Sequence, residues 1–228
     1  MIRAVLFDMD GVLYHTMPSH AKAWLGSMAK CGLSMSEEEV YRYEGMIGTE
    51  TIRLMARQQW GREVTTNEAN EMYSIKSAAF AALPPSSKMS GIDALITHLH
   101  SDCGLTIGVV TGSGQRTLTD HIASDFSYAI TQEHIVTAYD VKRGKPAPDP
   151  YLSGLAKCGV KANEAIVVEN APLGVQAARA ADIFTVAVNT GPLPDSALVE
   201  AGADIVVSDM HELLKRWEEI TNMAQTIQ

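Results

Sequence analysis

Cysteine is scarce: Cys31, Cys103 and Cys158 are the only three in 228 residues. They lie far apart and show no CxxC or Cys/His spacing, which excludes a disulfide scaffold or a zinc knuckle and reads as reduced thiols in a cytosolic chain. Positive charge is short too, with 18 Lys and Arg against 27 Asp and Glu for a formal net charge of −9. Nucleic acid or an anionic membrane would reward clustered Lys and Arg, so neither partner is expected. A small anionic substrate stays open, because a metal ion, one or two cations and backbone N–H groups make a sufficient local pocket. Long apolar runs are also missing. The first, Ala4 to Phe7, meets Asp8 and Asp10 at once and is too short for a signal peptide or a membrane span. The expectation is a cytoplasmic monomer.

What is present is apolar content of 46%, enough for one generous α/β core or for a core plus a small inserted domain. Ala4 to Phe7, Leu105 to Val110, Ala165 to Val168 and Phe184 to Val188 are short continuous apolar runs, each ending in polar or Gly-rich residues. Such runs suit buried parallel strands. Between and after them, Gly91 to Ser101, Gln115 to Ala123, Pro148 to Cys158 and Pro172 to Ala181 have helical patterns. The alternation predicts an α/β fold, a doubly wound Rossmann-like parallel sheet with ligands at the carboxyl ends of its strands. Residues 15–85 break it with helical stripes such as Ala23, Trp24, Ser27, Met28, Cys31 and Ile52, Met55, Ala56, Gln59. They predict an inserted all-helical cap on a core of residues 1–14 and 86–228. Val12 to Thr16 leads out and Pro84-Pro85-Ser86-Ser87 leads back; Glu218 to Gln228 is expected to be a last helix.

Four constellations fall at the predicted strand ends or in a rigid loop. Asp8-Met9-Asp10-Gly11 sets two carboxylates two residues apart, where one can attack phosphorus and the other serve as acid and base. Taken alone, the same turn suits a bound cation or a helix cap. Thr111-Gly112-Ser113-Gly114 can hold phosphate oxygens at a helix N-terminus, or simply cap that helix. Lys145 sits in Arg143-Gly144-Lys145-Pro146-Ala147-Pro148-Asp149-Pro150, where prolines fix the backbone around one long cation. Glu169-Asn170 offers oxygen atoms of the kind Mg²⁺ prefers, or a capping Asn.

In this order the four resemble the motifs of haloacid dehalogenase-like phosphatases with a cap inserted after the first motif. The resemblance implies Asp8 as nucleophile, Asp10 as general acid/base with its carbonyl on Mg²⁺, and Thr111, with Gly112 and Ser113, on the phosphoryl group. It implies Lys145 as charge balance, Asn170 as a metal ligand, and Glu169 as a ligand or its neighbour. Asp10 speaks against dehalogenation, since the dehalogenases lack the second Asp. Ser19-His20-Ala21-Lys22-Ala23-Trp24 and Gly144 to Asp149 look like β-phosphoglucomutase and its neighbours, which would put His20 near the site entrance.

Two departures weigh against a mutase. Asn170 stands where those proteins have Asp, and Tyr43-Glu44-Gly45-Met46-Ile47-Gly48-Thr49 lacks their Lys before and Arg after that Gly. Glu44 with Asn170 looks instead like the bacterial inorganic pyrophosphatases of this subfamily, with Glu44 reaching down to restore the missing carboxylate on the metal. The expected substrate is therefore a small phosphorylated compound, pyrophosphate first, with a phosphomutase as the alternative. A phosphonoacetaldehyde-type hydrolase would need a cap lysine, with Lys22 and Lys30 in view. Trp24 and Trp60 read as cap packing, Trp217 as part of a terminal helix stripe, and His98, His100 and His211 show no ligand spacing.

Overall fold

Ala4–Phe7 forms strand β1 with every side chain buried, as a continuous apolar run does when both faces of a strand are covered. The computed structural model describes residues 1–113 and 116–227. Four helices follow β1: α1 (Met17–Lys30), α2 (Glu37–Arg42), α3 (Gly48–Trp60) and α4 (Thr66–Ala81). The chain then alternates through α5 (Ile92–Thr97), β2 (Thr106–Val110), α6 (Arg116–Asp125), β3 (Ile135–Val136), α7 (Asp149–Cys158) and β4 (Ala165–Glu169). It ends with α8 (Pro172–Ala180), β5 (Phe184–Val188), α9 (Asp195–Glu200), β6 (Ile205–Val207), α10 (Met210–Lys215) and α11 (Trp217–Ile227).

The strands form one parallel six-stranded sheet in the order β3-β2-β1-β4-β5-β6. The four expected strands are found within a residue of their predicted ends. β3 and β6 were not expected, because two or three residues are too few to carry a periodic signal. Gly114 of the expected phosphate loop, Gln115 at the expected helix start and Gln228 lie outside the described residues.

Alternate side chains of the strands feed two apolar layers. Val5, Phe7, Val109 and Val168 pack in the larger cluster with Leu95, Ile122, Leu213 and Trp217, while Leu6, Val110 and Val167 face Tyr151, Leu155 and Ala178. Helices α1 to α4 have their own cluster, centred on Trp24, Met28, Ile52, Met55 and Ala56. Capping boxes at Ser36/Glu39 and Thr65/Glu68 start α2 and α4, satisfying N–H groups that a helix leaves open. Trp60, at 36% exposure, lies on the rim rather than in that packing.

The chain leaves and re-enters the sheet domain side by side: His15 N donates to Ser87 O at 2.8 Å and Met89 N to Leu13 O at 2.9 Å. These bonds flank the expected cap limits at residues 15 and 85. Among the described residues, no helix is long and apolar enough to cross a membrane.

Candidate active site

The sheet order makes β1 the point where successive strands begin to run to the other side, and the carboxyl end of such a strand is where a ligand crevice opens. Asp8 is the first residue beyond β1, its N–H continuing the ladder to Val168 O at 2.9 Å. Gly11, at φ +82°, then turns the chain, and a Cβ there would lie 2.1 Å from Asn170 Nδ2. Only glycine permits both the turn and that approach. Thr190 Oγ1 donates to Gly11 O at 2.7 Å, so the loop after β5 braces the turn.

Lys145 arrives from the proline-rich loop before α7. Its Nζ lies 2.6 Å from Asp8 Oδ1, 2.5 Å from Glu169 Oε1 and 3.3 Å from Val110 O. All three side chains are almost fully buried. Burial pushes the Asp8 carboxyl well above its usual range, against the opposing pull of Lys145 and with repulsion from Glu169 and Asp10. Lys145 is pulled down by burial but held above the ordinary lysine range by Asp8 and Glu169.

Glue for this cluster comes from Glu169. Its Oε1 also accepts from Tyr151 OH at 2.7 Å, and its Oε2 accepts from Asn170 N at 2.9 Å and Ala171 N at 3.2 Å. Four donors fill the acceptor positions of one carboxylate. Glu169 thus ties Lys145, Tyr151 and the turn after β4 together.

Asp10 heads a second chain. Its Oδ1 lies 3.1 Å from His20 Nε2, and Lys76 Nζ lies 2.9 Å from His20 Nδ1. An ammonium only donates, so Nδ1 accepts and the ring proton sits on Nε2, pointing at Asp10. Burial alone would raise the Asp10 carboxyl; His20 above all, with help from the Thr16 hydroxyl and Lys76, outweighs it and holds the group below its usual value. His20 is 5% exposed and stacks on Phe80 at 4.3 Å. It therefore lies inside the site, not at the entrance where the sequence placed it.

Lys76 is a site residue that the motifs do not mark; Lys22 and Lys30 came into view only as Schiff-base candidates. It is 3% exposed, with its ammonium 5.1 Å from the ring centroids of both Trp24 and Phe80. Burial lowers its pKa, against Glu44 and Asp10, which raise it. A signal existed: Ala69, Tyr73, Lys76 and Phe80 follow helical spacing, so Lys76 is a lone cation on an inward stripe.

The cap loop closes the site from above. Asp10, His20, Trp24, Glu44, Lys76 and Ser113 contribute to the lining of a cavity of about 30 Å³. That is little room beneath the cap loop as it stands. Glu44 is partly buried; burial raises its carboxyl, His20 and Lys76 draw it down, and Asp10 pushes it up. Trp24 belongs both to cap packing and to this wall.

Closure depends on backbone meeting backbone. A Cβ on Gly112 would lie 2.7 Å from Gly45 O, and one on Gly45 would lie 2.7 Å from Lys145 Cδ. Gly112→Ala is expected to hold the cap ajar and cut turnover about 100-fold, since a 1 Å displacement of a closing element has that scale of effect. Steady-state kinetics check this beside a thermal melt; a variant with wild-type turnover would show that the contact is not needed.

Thr111 is buried, with its Oγ1 accepting from Ser113 N at 3.0 Å, so the loop after β2 is folded back on itself beside Val110. Asn170 Oδ1 is buried without a hydrogen-bond partner, and leaving such an acceptor unmet costs about 1–3 kcal/mol. With the Asp8 carboxylate and the Asp10 carbonyl it makes an all-oxygen set that fits a hard divalent cation. Among the described residues no group of three His, Cys, Asp or Glu is disposed to hold a metal. The amide of Asn170 and a backbone carbonyl are what the fit relies on.

Comparison with known proteins agrees with this architecture. Residues 5–188 match the haloacid dehalogenase-like hydrolase family. A Bacteroides vulgatus structure provisionally named a beta-phosphoglucomutase is 45% identical with a TM-score of 0.92, over 98% of this chain and 90% of that one. Hexitol phosphatase A of Escherichia coli is 30% identical over 92% of this chain and 93% of its own. A protein of Caldanaerobacter subterraneus provisionally named pyrophosphatase PpaX is 28% identical over 94% of each. By its motifs, its sheet and this match over most of its length, the chain belongs to the haloacid dehalogenase-like hydrolases.

Proposed function

We propose that the protein is a Mg²⁺-dependent phosphohydrolase acting through an aspartyl phosphate on Asp8, with inorganic pyrophosphate as its first substrate. Asp8 attacks phosphorus while Lys145 offsets the negative charge gathering around it. Asp10 takes a proton from the water that displaces phosphate from Asp8 and, once it carries that proton, gives it to the departing oxygen of the next substrate. His20, itself held by Lys76, engages one oxygen of Asp10 and leaves the other for that proton. Thr111 and Ser113 hold the transferred phosphoryl oxygens. Mg²⁺ bound by Asp8, the Asp10 carbonyl and Asn170 would screen phosphate charge and orient the group for in-line attack.

The observation that carries pyrophosphate over a sugar phosphate is the make-up of the cap side. Lys76, with the His20 ring beside it, offers a cation for a second phosphate, and Glu44 in the same lining would supply the carboxylate that Asn170 lacks. The same reading takes the protein as a cytoplasmic monomer with no nucleic-acid or membrane partner, with residues 15–85 as the moving cap. A phosphomutase is the second reading, favoured by the name of the Bacteroides vulgatus neighbour.

Phosphate release at pH 7 with Mg²⁺ from pyrophosphate, β-glucose 1-phosphate, phosphoglycolate and hexose 6-phosphates separates the two. Release dominated by pyrophosphate supports the hydrolase; conversion of glucose 1-phosphate to glucose 6-phosphate with weak release overturns it. Glu44→Gln is expected to raise the Mg²⁺ requirement about 10–100-fold, the usual scale for loss of a group that tunes a metal site. A Mg²⁺ titration unchanged by the substitution would remove Glu44 from the metal.

A further inference from the structure

At the other end of the sheet a second group of reactive side chains comes together. α5 runs on into a wide π turn, His98–Asp102, with Cys103 N closing on His98 O at 3.0 Å. β2 starts at Thr106, so this turn lies at the amino end of the strand whose carboxyl end leads into Thr111. The tighter winding of an α-helix would space these residues differently; the π turn puts three of them in one hydrogen-bonded row. His98 Nδ1 is 2.8 Å from Asp102 Oδ2, and His98 Nε2 is 3.6 Å from Cys103 Sγ. An ionised carboxylate only accepts, so Nδ1 carries the ring proton and Nε2 accepts from the thiol.

The other two cysteines are placed differently. Burial pushes the Cys31 thiol up, and that of Cys158 up to about 11. Cys103 is exposed and opens onto a cleft of about 470 Å³ shared with α10 and α11. Trp217 gives that cleft an apolar wall, and Lys215 and Glu218 set one positive and one negative group in its lining.

We propose that Cys103 is a thiol-exchange site, activated by His98 and Asp102, that accepts a small zwitterionic amino-acid thiol from its disulfide. The thiol proton passes to His98 Nε2 as Sγ attacks one sulfur of the incoming disulfide. The new Sγ–S bond forms while the old S–S bond breaks, and the departing thiolate takes the proton from His98. Cys103 is oxidised from thiol to disulfide and the leaving sulfur is reduced from disulfide to thiol. Lys215 meets the carboxylate of the bound half and Glu218 its ammonium. The charged and titratable groups around the thiol are thus His98 and Asp102 on its own turn, with Lys215 and Glu218 across the cleft.

The test treats the full-length protein with cystine or with neutral 2-hydroxyethyl disulfide, and follows each cysteine by peptide mass spectrometry between pH 6 and 9. With cystine at pH 7, Cys103 is expected to react about tenfold faster than Cys31 or Cys158, and about tenfold faster than in His98→Gln. Asp102→Asn, expected to fall between the two, serves if His98→Gln does not fold, and thermal melts report folding. Equal Cys103 rates in wild type and both variants overturn the activation, and equal rates with the two disulfides overturn the zwitterion cleft.

Discussion

Asp8→Asn is expected to lower phosphate release from pyrophosphate by at least about 10⁴-fold, the scale seen when a covalent nucleophile is removed. The same change should not weaken the fold. The Asp8 carboxyl is held well above its usual range, chiefly by burial, so the ionised group is worse placed in the folded chain than in the unfolded one. An acid with a raised folded pKa binds its proton more tightly when folded, so it costs stability above that pKa and costs nothing below the unfolded value. Neutral Asn removes the cost. The variant should therefore melt about 2–4 °C higher at pH 7 for each kcal/mol relieved, and the gap should close as the pH falls through the raised Asp8 pKa. Calorimetry across pH with a phosphate assay tests both halves. Residual turnover within tenfold of wild type would mean that Asp8 is not the attacking group, and a lower melting point would mean that Lys145 outweighs burial.

Lys145→Met reverses the balance. Met fills much of the lysine volume but leaves Asp8 and Glu169 buried without their shared cation, which lies 2.6 and 2.5 Å from them. Breaking a buried ion pair from one side typically costs about 3–5 kcal/mol. Activity should fall as steeply as stability, because the attacking carboxylate would meet an anionic phosphate with no positive charge beside it. The pH sign follows from Asp8. Without Lys145 its carboxyl rises further, it takes up a proton more readily when folded, and the deficit shrinks as the pH is lowered. Urea midpoints at pH 7.5 and 5.5 measure this. A deficit that stayed constant, or grew toward acid, would show that the loss comes from packing and not from unpaired carboxylates.

Asp8, Asp10, Thr111, Lys145 and Asn170 were legible in the sequence because each is marked locally. Four follow apolar runs that must be buried strands, and the fifth lies where prolines fix the chain. Lys76 was not, although it completes the Asp10–His20 chain. Its neighbours in sequence say that it lies on an inward stripe, but not what that stripe faces. Only the folding of α4 against α1 brings it to His20, 56 residues away. Glu169 was marked in the sequence beside Asn170, but its four bonds, including one to Lys145 at 24 residues' distance, could be counted only in three dimensions. His98 shows no metal-ligand spacing in the sequence, and it meets Cys103, five residues on, because a π turn stands where an α-helical one was expected.

The division has a physical basis. Apolar periodicity, glycine and proline act through neighbouring atoms, so the sequence by itself determined the strands of four residues or more, the alternation with helices, the helical insert and the carboxylate pair after β1. Burial, proton position and charge pairing depend on groups distant along the chain. The tertiary structure alone decided that Lys145 crosses 137 residues to reach Asp8, that Gly45 of the cap loop rests against Gly112, and which nitrogen of His20 faces Asp10.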